Sequence, residues 1–298
     1  MDVSIIIVNY NTCSLTRNCL NSVFEHTKAI DFEVIVSDNG SKDGSIEMIK
    51  TEFPQVILIE NNDNLGFGAA NNRGLRIAKG KYIFYLNSDT ILLNNSVKIF
   101  YDYWEKSAQK DTIGALGANL LNQSGEIIHS YGIFPRIHKT IRYTFSKYYN
   151  VLKRCFCKTQ SRRINNSVAK YGTVEYITGA DLFVKNNNNA YYDERYFLYF
   201  EEVDLQYKMY KKNLDRLIID GPRIIHLAGG SDNKAKDGRL EDFISFGMTN
   251  YELSKIKYYK YNRSTLFALC LKILLYLFWI LPPFYDKTKG VRKKIWEI

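Results

Sequence analysis

Apolar residues run unbroken from Val3 to Val8, and shorter β-rich runs follow at Phe32 to Val36, Val56 to Glu60 and Lys81 to Leu86. A run without polar alternation fits a strand buried on both faces. Between these runs the spacing turns helical. Asn11 and Thr12 precede Leu15, Cys19, Leu20 and Val23, and helices are also predicted over Ser45 to Glu52 and Gly66 to Lys79. Strand and helix in alternation predict βαβ units, hence an α/β fold with a mainly parallel central sheet. Downstream, strands are predicted at Ile113 to Leu121 and Arg216 to Ile219, a surface turn at Asn186 to Asn189, and a helix at Val203 to Lys212. Phe197 to Phe200 reads as an aromatic strand. The chain reads helical from Leu240, and an apolar stretch from Ser264 to Leu281 closes at Pro282-Pro283. The segment Phe134 to Tyr171 is basic and aromatic, with Tyr143, Phe145, Tyr148, Tyr149 and Phe156 interleaved, and is left without an assigned element. The pattern divides the chain into an α/β domain over 1–231 and a helical region over 232–298.

Composition narrows this picture. Of 298 residues, 46% are hydrophobic, which supplies a sizeable core and excludes a disordered chain. The cysteines are odd in number, and only Cys155 and Cys157 lie close together, so a disulfide scaffold is excluded and reduced thiols are expected. The first strand starts without a basic stretch before it, so no secretory signal is expected. The formal net charge is +10. Segment 127–174 holds ten basic residues and no acidic one, and segment 253–298 holds ten against Asp286 and Glu297. Basic surface attached to an acidic body favours anionic partners: phosphorylated ligands, anionic lipid or nucleic acid.

Parallel sheets collect ligands at the carboxyl ends of their strands. Polar clusters stand there: Asn9 to Thr12, Asp38 to Ser41 and Asn87 to Thr90. Asp38 could accept hydrogen bonds from a base or a ribose, or close an Asx-turn. Asp89 suits a magnesium-type cation, which takes one or two protein carboxylates and bridges to phosphates, or it caps the next segment. Glu201, Glu202 and Asp204 form an acidic group in which one member could act as general base; acids also enrich helix N-termini. His226 is either a structural histidine or a ligand; it precedes Gly229, Gly230 and Ser231, a loop composition suited to closing over phosphates. Gly66-Phe67-Gly68 lacks the third glycine of a dinucleotide fingerprint.

Seven stretches fall in one order: V-S-I-I-I-V-N-Y-N at Val3, V-S-D-N-G-S-K-D-G-S at Val36, N-N-D-N-L-G-F-G-A-A-N-N-R-G at Asn61, L-N-S-D-T at Leu86, T-G-A-D-L-F-V at Thr178, F-L-Y-F-E-E-V-D-L at Phe197 and H-L-A-G-G-S at His226. In this the chain resembles family 2 glycosyltransferases of the GT-A fold, close to the bacterial rhamnosyltransferase-like branch. The resemblance implies a catalytic GT-A domain over 1–231. It also implies inverting, metal-dependent transfer of one sugar, rhamnose being the sugar of that branch, from a dTDP- or UDP-linked donor to a glycan acceptor. UDP-hexose, UDP-N-acetylhexosamine and galactofuranose donors are the alternatives. It places Asp38 at the base, and Asn9, Asn11, Asn64, Gly66, Asn72, Asn87 and Ser88 around the rest of the donor. Asp89 and His226 would hold Mg2+ or Mn2+, with Asn87 standing where the D-x-D motif has its first acid. Glu202 matches the catalytic base, one methylene longer than the common Asp. Gly179, Ala180, Asp181, Glu201 and Asp204 would face the acceptor. No Q-x-x-R-W motif follows, which argues against a processive synthase.

From a different class, a nucleic-acid-binding protein would explain the basic segments but not the polar strand ends; a non-catalytic sugar-nucleotide binder would not need the acids at 89 and 202. No nucleic-acid partner is therefore expected. The stretch Ser264 to Leu281 is interrupted by Lys272 and is marginal for a span, which needs about 20 apolar residues. It predicts a helix lying on an anionic membrane surface, with Lys272 snorkelling and with Tyr276 and Trp279 at headgroup depth; a helix packed on the catalytic domain or on a dimer partner, and a true span, are the alternatives. A lipid-linked acceptor in cell-surface polysaccharide synthesis, and a cytoplasmic enzyme peripheral on the inner face of the membrane, follow from that reading.

Overall fold

A computed structural model describes residues 1–156, 168–227, 246–280 and 289–298. Strands β1 Val3–Asn9, β2 Phe32–Asp38, β3 Ile57–Glu60 and β4 Tyr82–Asn87 alternate with helices α1 Cys13–His26, α2 Ser45–Glu52 and α3 Phe67–Leu75. After β5 Thr90–Leu92 come α4 Ser96–Lys106, β6 Ile113–Gly117, β7 Tyr131–Gly132 and α5 Ile137–Phe156. Then follow β8 Gly172–Thr173, β9 Tyr176–Ile177, β10 Asp181–Lys185, α6 Glu201–Lys211, β11 Asp215–Ile218 and β12 Ile224–His226. Among the described residues, three helices follow: α7 Phe246–Asn262, α8 Thr265–Trp279 and α9 Lys289–Trp296. The chain folds as two compact units. One comprises Met1–Phe134, Asn165–Phe197 and Glu201–Ser231; the other comprises Pro135–Ile164, Leu198–Phe200 and Asp232–Ile298.

The first unit carries an eight-stranded sheet in the order β3-β2-β1-β4-β10-β6-β11-β8. Strands β3, β2, β1 and β4 run parallel, as do β6 and β11; β10 runs antiparallel between β4 and β6. Successive side chains of β1 enter opposite cores. Val3, Ile5 and Ile7 meet α1, α2 and α4 through Leu20, Met48 and Phe100, while Ile6 meets α3 and α6 through Leu75, Leu205 and Met209. Both faces are covered, which is why the first strand carries no polar alternation. The parallel register sets Asn9 opposite Asp38, and Val8 opposite Asn87, so three polar strand ends stand side by side.

Two expectations are corrected. Phe197 to Phe200 is a bend, with Tyr199 and Phe200 at φ 67° and 69°. Two consecutive left-handed residues cannot continue a strand, and the aromatic composition concealed the turn. The helix expected over Gly66 to Lys79 ends at Leu75, where Ile77 and Ala78 donate to the Gly74 carbonyl and tighten the last turn. Gly66 holds φ +89°, and a Cβ there would overlap the Phe197 carbonyl oxygen, which accepts a hydrogen bond from Phe67 N–H at 2.9 Å.

In the second unit, Tyr259 of α7 lies 2.6 Å from Thr140 of α5 through its hydroxyl, and its ring meets Phe267 of α8 edge-on. Ser254 of α7 donates to the Leu198 carbonyl, and Phe200 packs on Tyr251 and Tyr258. The segment 134–171, unassigned from sequence, supplies α5. Residues 281–288, with Pro282 and Pro283, lie outside the described residues.

Gly66→Ala is expected to destabilise the chain by about 2–3 kcal/mol, from a left-handed φ and the overlap at Phe197. Thermal unfolding of the variant against the parent measures it; an unchanged midpoint would contradict the contact.

Candidate active site

Asn9 is wholly buried at the end of β1, and its side chain ties three segments together. Its amide donates to Asp38 Oδ2 at 2.6 Å and to Ser41 Oγ at 3.0 Å; its Oδ1 accepts from Thr12 and Thr16 at 2.7 and 2.6 Å. Thr12 in turn lies 3.2 Å from Ser88 Oγ. Asp38 is wholly buried too, and its Oδ1 accepts the Ser41 N–H at 2.8 Å. Its carboxylate therefore shapes the 38–41 turn. Asn11, left-handed at φ 53°, accepts the Lys42 N–H and keeps that turn closed.

A second set continues from there. Asn39, which sequence reasoning passed over inside S-D-N-G-S, donates to Asn64 Oδ1 and to the Gly66 carbonyl, both at 3.2 Å. Asn64 also accepts the Gly66 N–H. Asn61, likewise missed, donates to Ser37 and Asn39. Asn72 points elsewhere: it is buried and clamps Tyr192, donating to its carbonyl and accepting its N–H.

Asp89 and His226 come together because β12 pairs with β5, setting His226 opposite Thr90. His226 Nε2 lies 3.2 Å from Asp89 Oδ1 and 3.5 Å from the Asn87 amide nitrogen. Asn87 Oδ1 is buried and has no hydrogen-bond partner among the described residues. No group of three or more His, Cys, Asp or Glu side chains able to hold a metal occurs among the described residues. The Asp89 carboxylate, the His226 imidazole and the unpartnered Asn87 Oδ1 are donors that a hard cation accepts, provided that phosphate oxygens and water complete its shell. Gly229, Gly230 and Ser231 lie outside the described residues.

The acids at the start of α6 have separate fates. Glu201 is 3% exposed, its Cβ 3.5 Å from where a Gly68 Cβ would stand, so Gly68 makes room for it. Asp204 is fully buried, 2.7 Å from Lys208 Nζ, and accepts the Tyr196 hydroxyl at 3.3 Å. Lys208 also bridges to Asp193, which Arg195 holds at 2.5 Å. Glu202 alone of the three is not fully buried. Burial raises its pKa, with the N–H groups of Glu202 and Val203 acting the other way. A Cβ on Gly179 would lie 3.6 Å from Glu202 Cβ and 3.7 Å from the Phe67 ring. The next residue, Ala180, accepts the Asn87 N–H at 3.0 Å. Glu202 and Asn87 therefore flank the same Gly179-Ala180 step. Asp181 lies inside the sheet: it is fully buried, its Oδ2 accepts the Ala118 N–H at 2.7 Å, and burial pushes its carboxyl well up.

Residues 4–166, more than half of the chain, match the model of glycosyl transferase family 2. The chain belongs to that family. A stretch of 121 residues is 32% identical to the poly(ribitol-phosphate) beta-glucosyltransferase of Bacillus spizizenii, covering 39% of this chain and 19% of that protein. Another, of 132 residues, is 29% identical to the chondroitin synthase of Escherichia coli, covering 43% of this chain and 19% of that one. This family 2 chain spans about a fifth of the length of the first curated relatives it matches. Among solved structures, the mannosyltransferase PcManGT of Pyrobaculum calidifontis, in complex with GDP-Man and Mn2+, superposes with a TM-score of 0.51 at 15% identity, over 98% of this chain and 84% of its own. GalNAc-T7 with UDP, GalNAc and Mn2+ gives 0.57 at 16%, over 98% and 53%. At these identities the likeness establishes the fold, the GT-A architecture expected from sequence.

Asp193, with its carboxyl held below the usual range first by Arg195 and then by Lys208, stabilises the fold at pH values above the unfolded carboxylate pKa of about 3.9. That contribution is lost as pH falls through the lower folded value. Asp193→Asn should lower the unfolding midpoint at pH 7 by about 1–2 kcal/mol equivalent, with a smaller gap to the parent below pH ~4. A gap that is constant with pH would contradict the pairing.

Proposed function

We propose that this chain transfers one sugar, with inversion, from a nucleoside diphosphate sugar to a glycan acceptor. The observation that carries the reading is that Glu202, the accessible acid of its group, shares the Gly179-Ala180 step with the strand end bearing Asn87 and Asp89. Glu202 takes the proton of the acceptor hydroxyl as its oxygen attacks the anomeric carbon from the face opposite the diphosphate. The bond from that carbon to the diphosphate oxygen breaks, and the nucleoside diphosphate leaves with the electron pair. A carboxyl raised by burial is a stronger base than an exposed one, which suits this step.

Asp89 and His226 would hold a divalent cation, Mg2+ or Mn2+, which when bound neutralises the departing diphosphate. Two solved relatives in fold carry Mn2+, which supports that assignment. The loops built by Asn9, Asp38, Asn39 and Asn64 would receive the nucleoside. Asp38, Asn72, Asp181, Glu201 and Asp204 would act from beneath, by fixing the loops and the α6 N-terminus, while Glu202 and Gly179 face the acceptor. Rhamnose on dTDP is the donor favoured by the resemblance, with the UDP-linked sugars as competitors. The names of the Bacillus and Escherichia relatives, a poly(ribitol-phosphate) glucosyltransferase and a chondroitin synthase, favour a polymer as the acceptor; that it is lipid-linked and met at the inner face of a membrane rests on the basic, apolar C-terminal region of this chain.

Nucleotide release from a panel of dTDP-, UDP- and GDP-sugars, with and without acceptor, tests the reading. Glu202→Gln should retain donor binding and lose about 10²–10⁴-fold in kcat. Glu201→Gln and Asp204→Asn should act through stability. A dead Glu201→Gln beside an active Glu202→Gln would overturn the assignment. Because the base must be ionised and its pKa is raised, kcat in the parent should fall on acidification at a pH above the ordinary glutamate value of about 4.3.

A further inference from the structure

Among the described side chains of helix α5, two threonines are buried and an apolar stripe is exposed. Thr140 and Thr144 are buried, while Ile137, Ile141, Phe145 and Tyr149, four residues apart, are 40%, 40%, 58% and 66% exposed. Helix α8, in the same unit, buries Ala268, Leu271, Leu275 and Trp279 and leaves Leu266, Leu269, Ile273 and Leu277 exposed, Leu266 at 73%. Spacings of three and four residues put these side chains on one face of the helix. A helix facing water would carry polar residues there. Neither helix contains an acidic residue, and His138, Lys139 and Arg142 lie exposed beside the α5 stripe.

We propose that the second unit docks on an anionic lipid surface through these two apolar stripes. The proposal deepens the reading that the acceptor is met at a membrane and rests on that reading for its purpose, though not for its geometry. The charge decides the occupant. Segments 127–174 and 253–298 carry +10 and +8, so a second copy would bring like charges together, whereas anionic lipid brings the opposite sign at about 1 kcal/mol per Lys or Arg. A nucleic acid offers phosphates but little to cover the leucines. An amphipathic helix with basic flanks meets both demands of a lipid interface. Among the described residues no helix is long and apolar enough to cross a membrane. Helix α8 has 15 residues, a rise of about 22 Å against a hydrocarbon core of about 30 Å.

The structure changes which residues do this. Lys272 does not snorkel toward lipid: it donates to the Trp296 carbonyl at 3.2 Å and lies over that ring. Tyr276 packs edge-on against Trp296, and Trp279 is 3% exposed. The leucine face, rather than the aromatic one, meets the membrane.

Co-sedimentation of the full chain with phosphatidylcholine vesicles, with and without phosphatidylglycerol, tests the proposal. Binding should require the anionic lipid and weaken with salt. Leu266→Asn with Leu277→Asn, and separately Ile141→Asn with Phe145→Asn, should each weaken it at least about tenfold. The parent unfolding midpoint should be kept, because these side chains are exposed. Leu93→Asn, at a residue 43% exposed on the first unit, should change nothing. Parent-like vesicle binding by both double variants would overturn the proposal. So would self-association of the parent that the same substitutions abolish, without vesicle binding. Lipid binding is read without any sugar donor. A parent that binds vesicles but turns over no sugar nucleotide would refute the proposed function and leave the docking surface standing.

Discussion

The buried amide of Asn9 is the interaction on which the rest of the site depends. An asparagine at the end of a strand covered on both faces must satisfy its donors and acceptor inside the protein. It does so by holding the turn after β2 through Asp38 and Ser41 and the start of α1 through Thr12 and Thr16. The parallel register then brings the β4 end alongside, so that Ser88 and Thr12 meet. Loop conformation is thereby set by side-chain hydrogen bonds within the sheet edge, on a scaffold fixed by core packing.

Electrostatics sort the acids near α6. Asp204 sits in the interior beside Lys208, which also reaches Asp193. Burying one carboxylate without a cation would be costly; the ammonium one turn away on the same helix offsets part of that cost. Glu201 fills the space that Gly68 leaves, and Asp181 is held inside the sheet. The accessible member, Glu202, has its basicity raised by its surroundings. Three carboxylates that look equivalent along the chain are thus separated by burial.

Much of this was legible in the sequence. Unbroken apolar runs marked β1, β2 and β4, and their polar ends marked the edge where the candidate site is proposed, because a parallel sheet delivers the carboxyl ends of its strands to one edge. Other features were not legible, for identifiable reasons. Helix α5 was not assigned because basic residues and further aromatic rings interleave with Ile137, Ile141, Phe145 and Tyr149, although these four recur at helical spacing. The Tyr199-Phe200 bend escaped because aromatic residues at positive φ imitate a strand in composition. The burial of Asp38, Asn72 and Asp181 depends on partners up to 120 residues away, as in the Asn72 bond to Tyr192. The pairing of Asp204 with Lys208 did carry a signal, opposite charges four residues apart on a helix.

If the strand ends around Asp89 form a site for a nucleoside diphosphate and a cation together, each ligand should strengthen the binding of the other. Calorimetric titration of Mn2+ into the full chain, with and without dTDP or UDP, measures this directly. The expected result is weak Mn2+ binding alone, at least about tenfold tighter binding when the nucleotide is present, and loss of that gain in Asp89→Ala. Mn2+ affinity indifferent to both nucleotides, or a gain that survives Asp89→Ala, would contradict a shared site.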